Sequence, residues 1–223
     1  MVLPPGIAPN GSHFAPLAPA AAPAPNIIRL LTAQRREVAP GLVVLVQGVP
    51  ASDDPAAVPR RILTIARGGR VVYTDTTADF LYPPGTADAG YRLYPLWIPT
   101  GPGQGELLVR VTSPPAFDFV RRFDVAGRHV TCRDTLPAFD APARNLDRDT
   151  PPEYGGYRQS GEEWTDEQGY FWQAYNPRLY YERRPTGLVL DSALTRRRAL
   201  ARYGVFRGYG YSDQPGVRVH PPR

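Results

Sequence analysis

Residues 145–156 read NLDRDTPPEYGG, with oxygen-bearing side chains at relative positions 1, 3, 5 and 9: Asn145, Asp147, Asp149 and Glu153. Hard cations such as Ca²⁺ take about six to eight oxygen ligands, and a short loop of alternating acids supplies much of that shell. No other segment of the chain has comparable chemistry. An EF-hand is excluded, because it needs Gly at position 6 and a bidentate Glu at position 12. Thr150 and Gly156 stand there instead. Thr150 precedes Pro151, which biases it toward extended backbone. The Pro151 carbonyl remains available as a further ligand. The competing reading is an Asx-rich surface turn that binds nothing. Convergence of the four side chains on one point separates the two readings.

The spacing resembles the acidic loop of FG-GAP or VCBS-type repeats, in which the acid at position 9 closes the site and a strand follows. That resemblance spans residues 145–153 and implies a Ca²⁺ site. The run from Tyr154 to Tyr157 is a plausible strand start. No internal repeat with a period of about 20–50 residues accompanies it, so the likeness is local and implies no propeller.

The elements that must position this loop are mostly strands. The 27 prolines and 21 glycines argue for many turns and few long helices. Residues 41–47 form a β-branched run that reads as a buried strand. Residues 61–67 and 70–74 are strand-like runs separated by Gly68-Gly69, the signature of a type I′ hairpin. Residues 91–98 and 106–112 read as further strands, and 117–125 with 128–132 as a second hairpin across Ala126-Gly127. Residues 26–38 read as a strand or a short helix. After the acidic loop, residues 154–181 are dense in Tyr, Trp and Phe, which serve as strand formers and core filler or as platforms for sugar rings. Residues 191–204 read as a helix capped by Asp191 or Ser192 and ended by Gly204. Residues 205–211 read as a last strand.

The expected fold class is mostly β: an antiparallel sandwich or meander with one short C-terminal helix. Three segments follow: a flexible Ala/Pro-rich arm at 1–26, an antiparallel β region at 27–135, and 136–223 with the acidic loop, aromatic strands and helix. The last two are expected to form one compact domain.

Composition removes several functions. All 26 basic residues are Arg, so neither a Schiff-base lysine nor a P-loop lysine is available. The net charge of +5 is spread over scattered arginine pairs at 35–36, 60–61, 121–122 and 183–184 and a triplet at 196–198. A nucleic-acid footprint is a concentrated patch with a known module, and neither is visible, so nucleic acid is not an expected partner. Cys132 is the single cysteine, which rules out an intrachain disulfide and a Cys-based zinc site. Its strand-like setting reads as a buried small hydrophobe. His13 and His220 sit in tails, so His-based metal or triad chemistry is not expected. The longest apolar run, 41–46, is too short to cross a membrane.

Catalysis is not the expected role. Glu162 and Glu163 beside Trp164 invite a glycosidase reading with Asp166 or Glu167. Such enzymes need two carboxylates at a set separation, and adjacent strand residues point to opposite faces. No G-x-S-x-G elbow is present.

Residues 1–6 show no signal peptide. The Ala/Pro tract at 15–25 is of the linker type that follows signals or anchors in exported proteins. The second half of the chain, from Asp134 through the acidic loop to Tyr175-Asn-Pro-Arg and Thr186-Gly-Leu-Val-Leu-Asp-Ser, looks like uncharacterised exported or lipid-anchored proteins of Bacteroidetes-type bacteria. That resemblance implies a periplasmic or cell-surface location and brings no activity with it. Three roles follow. The first is a non-catalytic extracytoplasmic β-protein with one structural Ca²⁺ loop, its partner a glycan or an envelope protein. The second is a carbohydrate-binding or carbohydrate-active protein using 154–181. The third is a cytoplasmic interaction protein.

Overall fold

The computed structural model describes residues 34–49, 60–80, 92–113, 117–158 and 161–218. The arm at 1–26 and the loop at 51–59 lie outside the described residues. The described residues are mostly antiparallel β-sheet, and one helix among them, of twelve residues, lies near the C-terminus. β1 (Gln34–Ala39), β2 (Leu42–Val49), β3 (Arg60–Arg67) and β4 (Arg70–Asp75) form a four-stranded meander. In β2 the alternation is clear: Leu42, Val44 and Val46 are buried while their neighbours are not. Period-2 burial of that kind fixes the register, since a one-residue slip would turn the apolar set outward. Across the ladder Val44 lies opposite Ile65 and Val46 opposite Leu63, so both strands load one face. The β3–β4 turn is the expected hairpin, with Gly68 at φ 56° and Gly69 at φ 76°. Both are left-handed positions that L side chains adopt only at a cost.

The larger sheet contains β5 (Asp79–Phe80), β6 (Leu96–Gly101), β7 (Gln104–Ser113), β8 (Phe117–Ala126), β9 (His129–Phe139), β10 (Glu153–Tyr157), β13 (Leu179–Arg184) and β14 (Gly187–Leu190). One face of β7 and β8 supplies Leu107, Val109, Val111, Phe123 and Val125. These meet the meander's apolar face in a shared core, which makes this part a sandwich. The other face runs from Leu108, Val120 and Leu136 to Phe139, Tyr154, Leu179 and Tyr181, and closes into a second core with Tyr94 and Ile98. The sheet must curl to bring these strands together. This core takes residues from both sides of position 135. β11 (Glu163–Thr165), β12 (Phe171–Tyr175) and β15 (Ser212–Arg218) make a small third sheet.

The helix α1 (Ser192–Tyr203) has the caps its sequence dictates. Leu194 N–H donates to Asp191 Oδ1 at 2.8 Å, and Gly204, at φ 69°, donates its N–H to the Leu200 carbonyl. Leu194, Thr195, Ala199 and Tyr203 face inward. The helix is tied to β13 by Tyr180 N–H donating to Thr195 Oγ1 at 3.1 Å and Asp191 N–H donating to the Tyr180 carbonyl at 2.9 Å.

Three expectations need correction. The strand expected over 91–98 begins only at Leu96 among the described residues. Pro95 has no N–H to give a ladder, and the Tyr94–Pro95 peptide is cis. Residues 205–211 form no strand: Gly208 takes φ 97°, Val205 and Phe206 pack against the Tyr175–Tyr203 cluster, and pairing resumes at Ser212. Cys132 is exposed rather than buried, because β9 from 129 to 135 faces solvent except at Val130.

A candidate cation site and a neighbouring groove

The acidic loop joins β9 to β10, and its neck is a two-residue ladder. Arg144 N–H donates to the Glu153 carbonyl at 3.0 Å, and Glu153 N–H returns to the Arg144 carbonyl at 2.9 Å. Between these anchors the side chains shape the backbone. Asn145 Oδ1 accepts Arg148 N–H at 2.7 Å, and its Nδ2 donates to the Asp149 carbonyl. Asp147 Oδ1 accepts Asp149 N–H at 3.3 Å. This is the local side-chain-to-backbone bonding for which Asn and Asp are favoured in turns. The left-handed residue is Arg148, at φ 74°. The tight bend therefore falls at position 4 of the motif, and the missing Gly at position 6 is of no consequence.

The wrapping brings Asp147, Asp149 and Glu153 together. One carboxylate oxygen from each lies within 4.8 Å of the others. Glu153 is only 1% exposed. Its Oε2 accepts Leu146 N–H at 2.7 Å, whereas its buried Oε1 has no hydrogen-bond partner. A buried carboxylate oxygen without a donor is costly, and native structures rarely leave one so. Opposite Glu153 on β13 stands Glu182, also buried and held by Arg184 at 2.6 Å. Among the described residues the ion-pair partner of the triad is Arg197 of α1, an exposed side chain 3.6 Å from Asp147. Burial and the charges of Asp147 and Asp149 push the Glu153 carboxyl up, against the lowering effect of Leu146 N–H. Desolvation and the adjoining Asp147 also raise Asp149. Three acids held against their own repulsion can hold a metal ion. Asn145, the fourth expected ligand, has its amide engaged in closing the loop, and its Oδ1 keeps a second lone pair.

The aromatic segment divides. Tyr154, Tyr175, Tyr180 and Tyr181 are buried. Phe139 stacks on Tyr154 at 5.0 Å between centroids, and Tyr175 packs on Tyr203 at 5.1 Å. Tyr157 is half-buried and borders a groove beside α1. Asp166, weighed above as an acid partner of Glu162 or Glu163, is occupied with structure. It accepts the N–H groups of Gln168, Tyr170 and the Trp172 indole, closing the β11–β12 turn.

Two further constellations were not read from the sequence. Glu106, 2% exposed, lies 3.5 Å from Arg122 and 3.1 Å from Arg133, and its Oε2 accepts Leu188 N–H at 2.8 Å. Arg122 also donates to Asp134 and to the Leu188 carbonyl. Burial pushes the Glu106 carboxyl up, opposed by Leu188 N–H and the two arginines. Gly187 is required here, since a Cβ on it would come 2.2 Å from Glu106 Oε1. The second constellation is the arginine-lined groove between α1 and β10–β13. Alternation within 106–112 hinted that Glu106 and Arg110 face one way, but nothing local identified their partners. No helix among the described residues is long and apolar enough to cross a membrane. Compared with known protein families, with curated proteins and with solved structures, this chain matches none.

Proposed function

We propose that this chain is a non-catalytic extracytoplasmic β-protein whose 145–153 loop is a structural Ca²⁺ site, serving a binding or envelope role. The observation that carries the reading is Glu153. Its buried Oε1 has no partner, and its carboxylate lies with those of Asp147 and Asp149, one oxygen of each within 4.8 Å of the others. A cation answers both the desolvation and the repulsion at once, and an Asx turn that binds nothing answers neither. Ca²⁺ suits the set better than Mg²⁺, because an irregular cluster of carboxylates and loop carbonyls meets its flexible coordination. The FG-GAP-like spacing agrees with that choice. The extracytoplasmic setting rests on the Ala/Pro tract at 15–25 and on the resemblance of the second half to exported proteins. The carbohydrate reading is weaker, because Tyr154, Tyr175, Tyr180 and Tyr181 of 154–181 fill the core.

The test is thermal melting of chelator-treated protein with and without millimolar Ca²⁺, beside the Asp149→Ala variant. Binding to the folded state alone stabilises it by about 2.7 kcal/mol at a hundredfold excess over Kd. For a 223-residue chain that corresponds to roughly 5–11 °C. Asp149→Ala should lose most of this rise, and Mg²⁺ should reproduce little of it. Superimposable melts in all conditions would reduce the loop to a polar turn.

A further inference from the structure

The face of β10 that carries Glu153 continues through Gly155 to Tyr157, and on β13 through Tyr180 to Arg178, the residue just before that strand. Arg178 lies across the β10 backbone at Gly155. A Cβ there would come 2.6 Å from Arg178 Nε and 3.0 Å from Nη2. The guanidinium sits 5.9 Å from the Tyr157 ring centre and 5.6 Å from that of Tyr180. From α1, Arg202 lies 5.8 Å from Tyr157 and 5.2 Å from Tyr203. Its Nη1 donates to the Tyr157 hydroxyl at 2.8 Å. Arg198, one helical turn earlier, reaches only the Leu146 carbonyl, at 3.5 Å. These three arginines and Tyr157, Tyr180 and Tyr203 border a groove of about 330 Å³ that no carboxylate among the described residues lines. Through Arg178, Tyr180 and Arg198 the groove continues into a lobe of about 440 Å³. Arg144 joins there, and so do Asp140, which pairs with Arg178 at 2.5 Å, and Glu153, which faces the acidic loop.

Among the described residues neither Arg198 nor Arg202 has a carboxylate partner. The Nε of Arg178 is buried and lacks an acceptor. Guanidiniums stacked on tyrosine faces are pre-oriented, so little rotamer freedom remains to be lost on binding. Their planar donor forks match the geometry of carboxylate, sulfate and phosphate groups. Like charges gathered at a concave, tyrosine-walled surface focus the field on an incoming anion. We infer that this groove binds an oxyanion-bearing ligand, seating a sulfate, phosphate or carboxylate group on Arg178, Arg198 and Arg202 with the tyrosine rings as walls. The groove adjoins the cation loop through Arg198 and Leu146, but Arg178, Arg198 and Arg202 are not among the residues that would hold the metal.

The test is isothermal titration calorimetry of the full chain in chelator, with inorganic sulfate, inorganic phosphate and a sulfated, carboxylated heparin octasaccharide as probes. A neutral dextran oligosaccharide is the uncharged comparison. Arg198→Gln and Arg202→Gln lie at exposed helix positions, and a cooperative melt in each shows that the variant is folded. Each should weaken binding at least roughly tenfold, the loss expected when one charge-assisted pair is removed. Arg70→Gln, on the exposed β3–β4 turn, should change affinity less than about twofold. Binding of the inorganic ions identifies a free-ion site. Binding of the octasaccharide alone identifies an anion carried on a larger ligand. Absence of binding by every charged probe, or equal losses in Arg70→Gln and the helix variants, would overturn the proposal. Persistence of binding in chelator keeps the result independent of the Ca²⁺ reading.

Discussion

Glu153→Gln should have opposite effects in the presence and absence of cation. Gln has nearly the shape of Glu, so its Oε1 can keep the Leu146 N–H bond that Glu153 makes at 2.7 Å. Its amide nitrogen then takes the place of the buried oxygen that has no partner and brings a donor into the cluster with Asp147 and Asp149. In chelator the substitution removes a buried, unsatisfied charged acceptor from an acidic cluster. Leaving such a group unsatisfied costs about 1–3 kcal/mol, so the variant should be more stable than wild type by that order. At about 2–4 °C per kcal/mol for a chain of 223 residues, that is a rise of several degrees. In saturating Ca²⁺ the order should invert. The variant has lost a ligand oxygen and a charge, and should forfeit most of the cation-dependent rise. Differential scanning calorimetry in chelator and in Ca²⁺, across pH, reads both effects. The pH dependence has a definite sign. Burial first, then Asp147 and Asp149, raise the Glu153 carboxyl in the folded state. The metal-free native state therefore binds more protons than the unfolded chain between the ordinary Glu value and the raised one. Stability in chelator must fall as pH rises through that window. Glu153→Gln should flatten this slope. A variant destabilised in chelator, with an unchanged slope, would show that the Glu153 carboxylate is satisfied without a cation, and the reasoning would fail.

Two further predictions concern the frame that holds the site. Replacing both Gly68 and Gly69 by Val forces side chains into left-handed backbone at φ 56° and 76° and should cost roughly 1–3 kcal/mol; unchanged urea denaturation would refute the strain. Arg122→Ala leaves Glu106, 2% exposed, without its buried partner and should cost roughly 3–5 kcal/mol. The double variant Arg122→Met/Glu106→Gln should recover much of that loss, and a double variant no better than the single one would show that the two side chains are not coupled.

What the sequence displays is what lies within one loop, one turn or one strand. Gly68-Gly69 and the caps Asp191 and Gly204 act on their own neighbours, and the structure has them as read. The acidic triad was legible for the same reason, since Asp147, Asp149 and Glu153 share a single loop closed by Arg144 and Glu153. Legibility ended where partners are distant. Glu106 receives the Leu188 N–H from 82 residues away, and nothing around Glu106 hints at it. Both Leu107 and Leu108 are fully buried because β7 separates two cores, a condition that erases the alternation by which a strand's inner face is recognised. The groove arises the same way. Arg178 comes from just before β13, Arg198 and Arg202 from α1 and Tyr157 from β10, and in sequence they look like scattered solvated charge and an aromatic run. Glycine carried the missing information. Gly155 and Gly187 sit in strands that a side chain would have strengthened, and each lacks one because a charged group lies against it: Arg178 on Gly155, Glu106 on Gly187. These two crossings locate the arginine groove and the buried ion network, whereas the strand glycines Gly105, Gly156 and Gly216 lie against backbone or tryptophan instead.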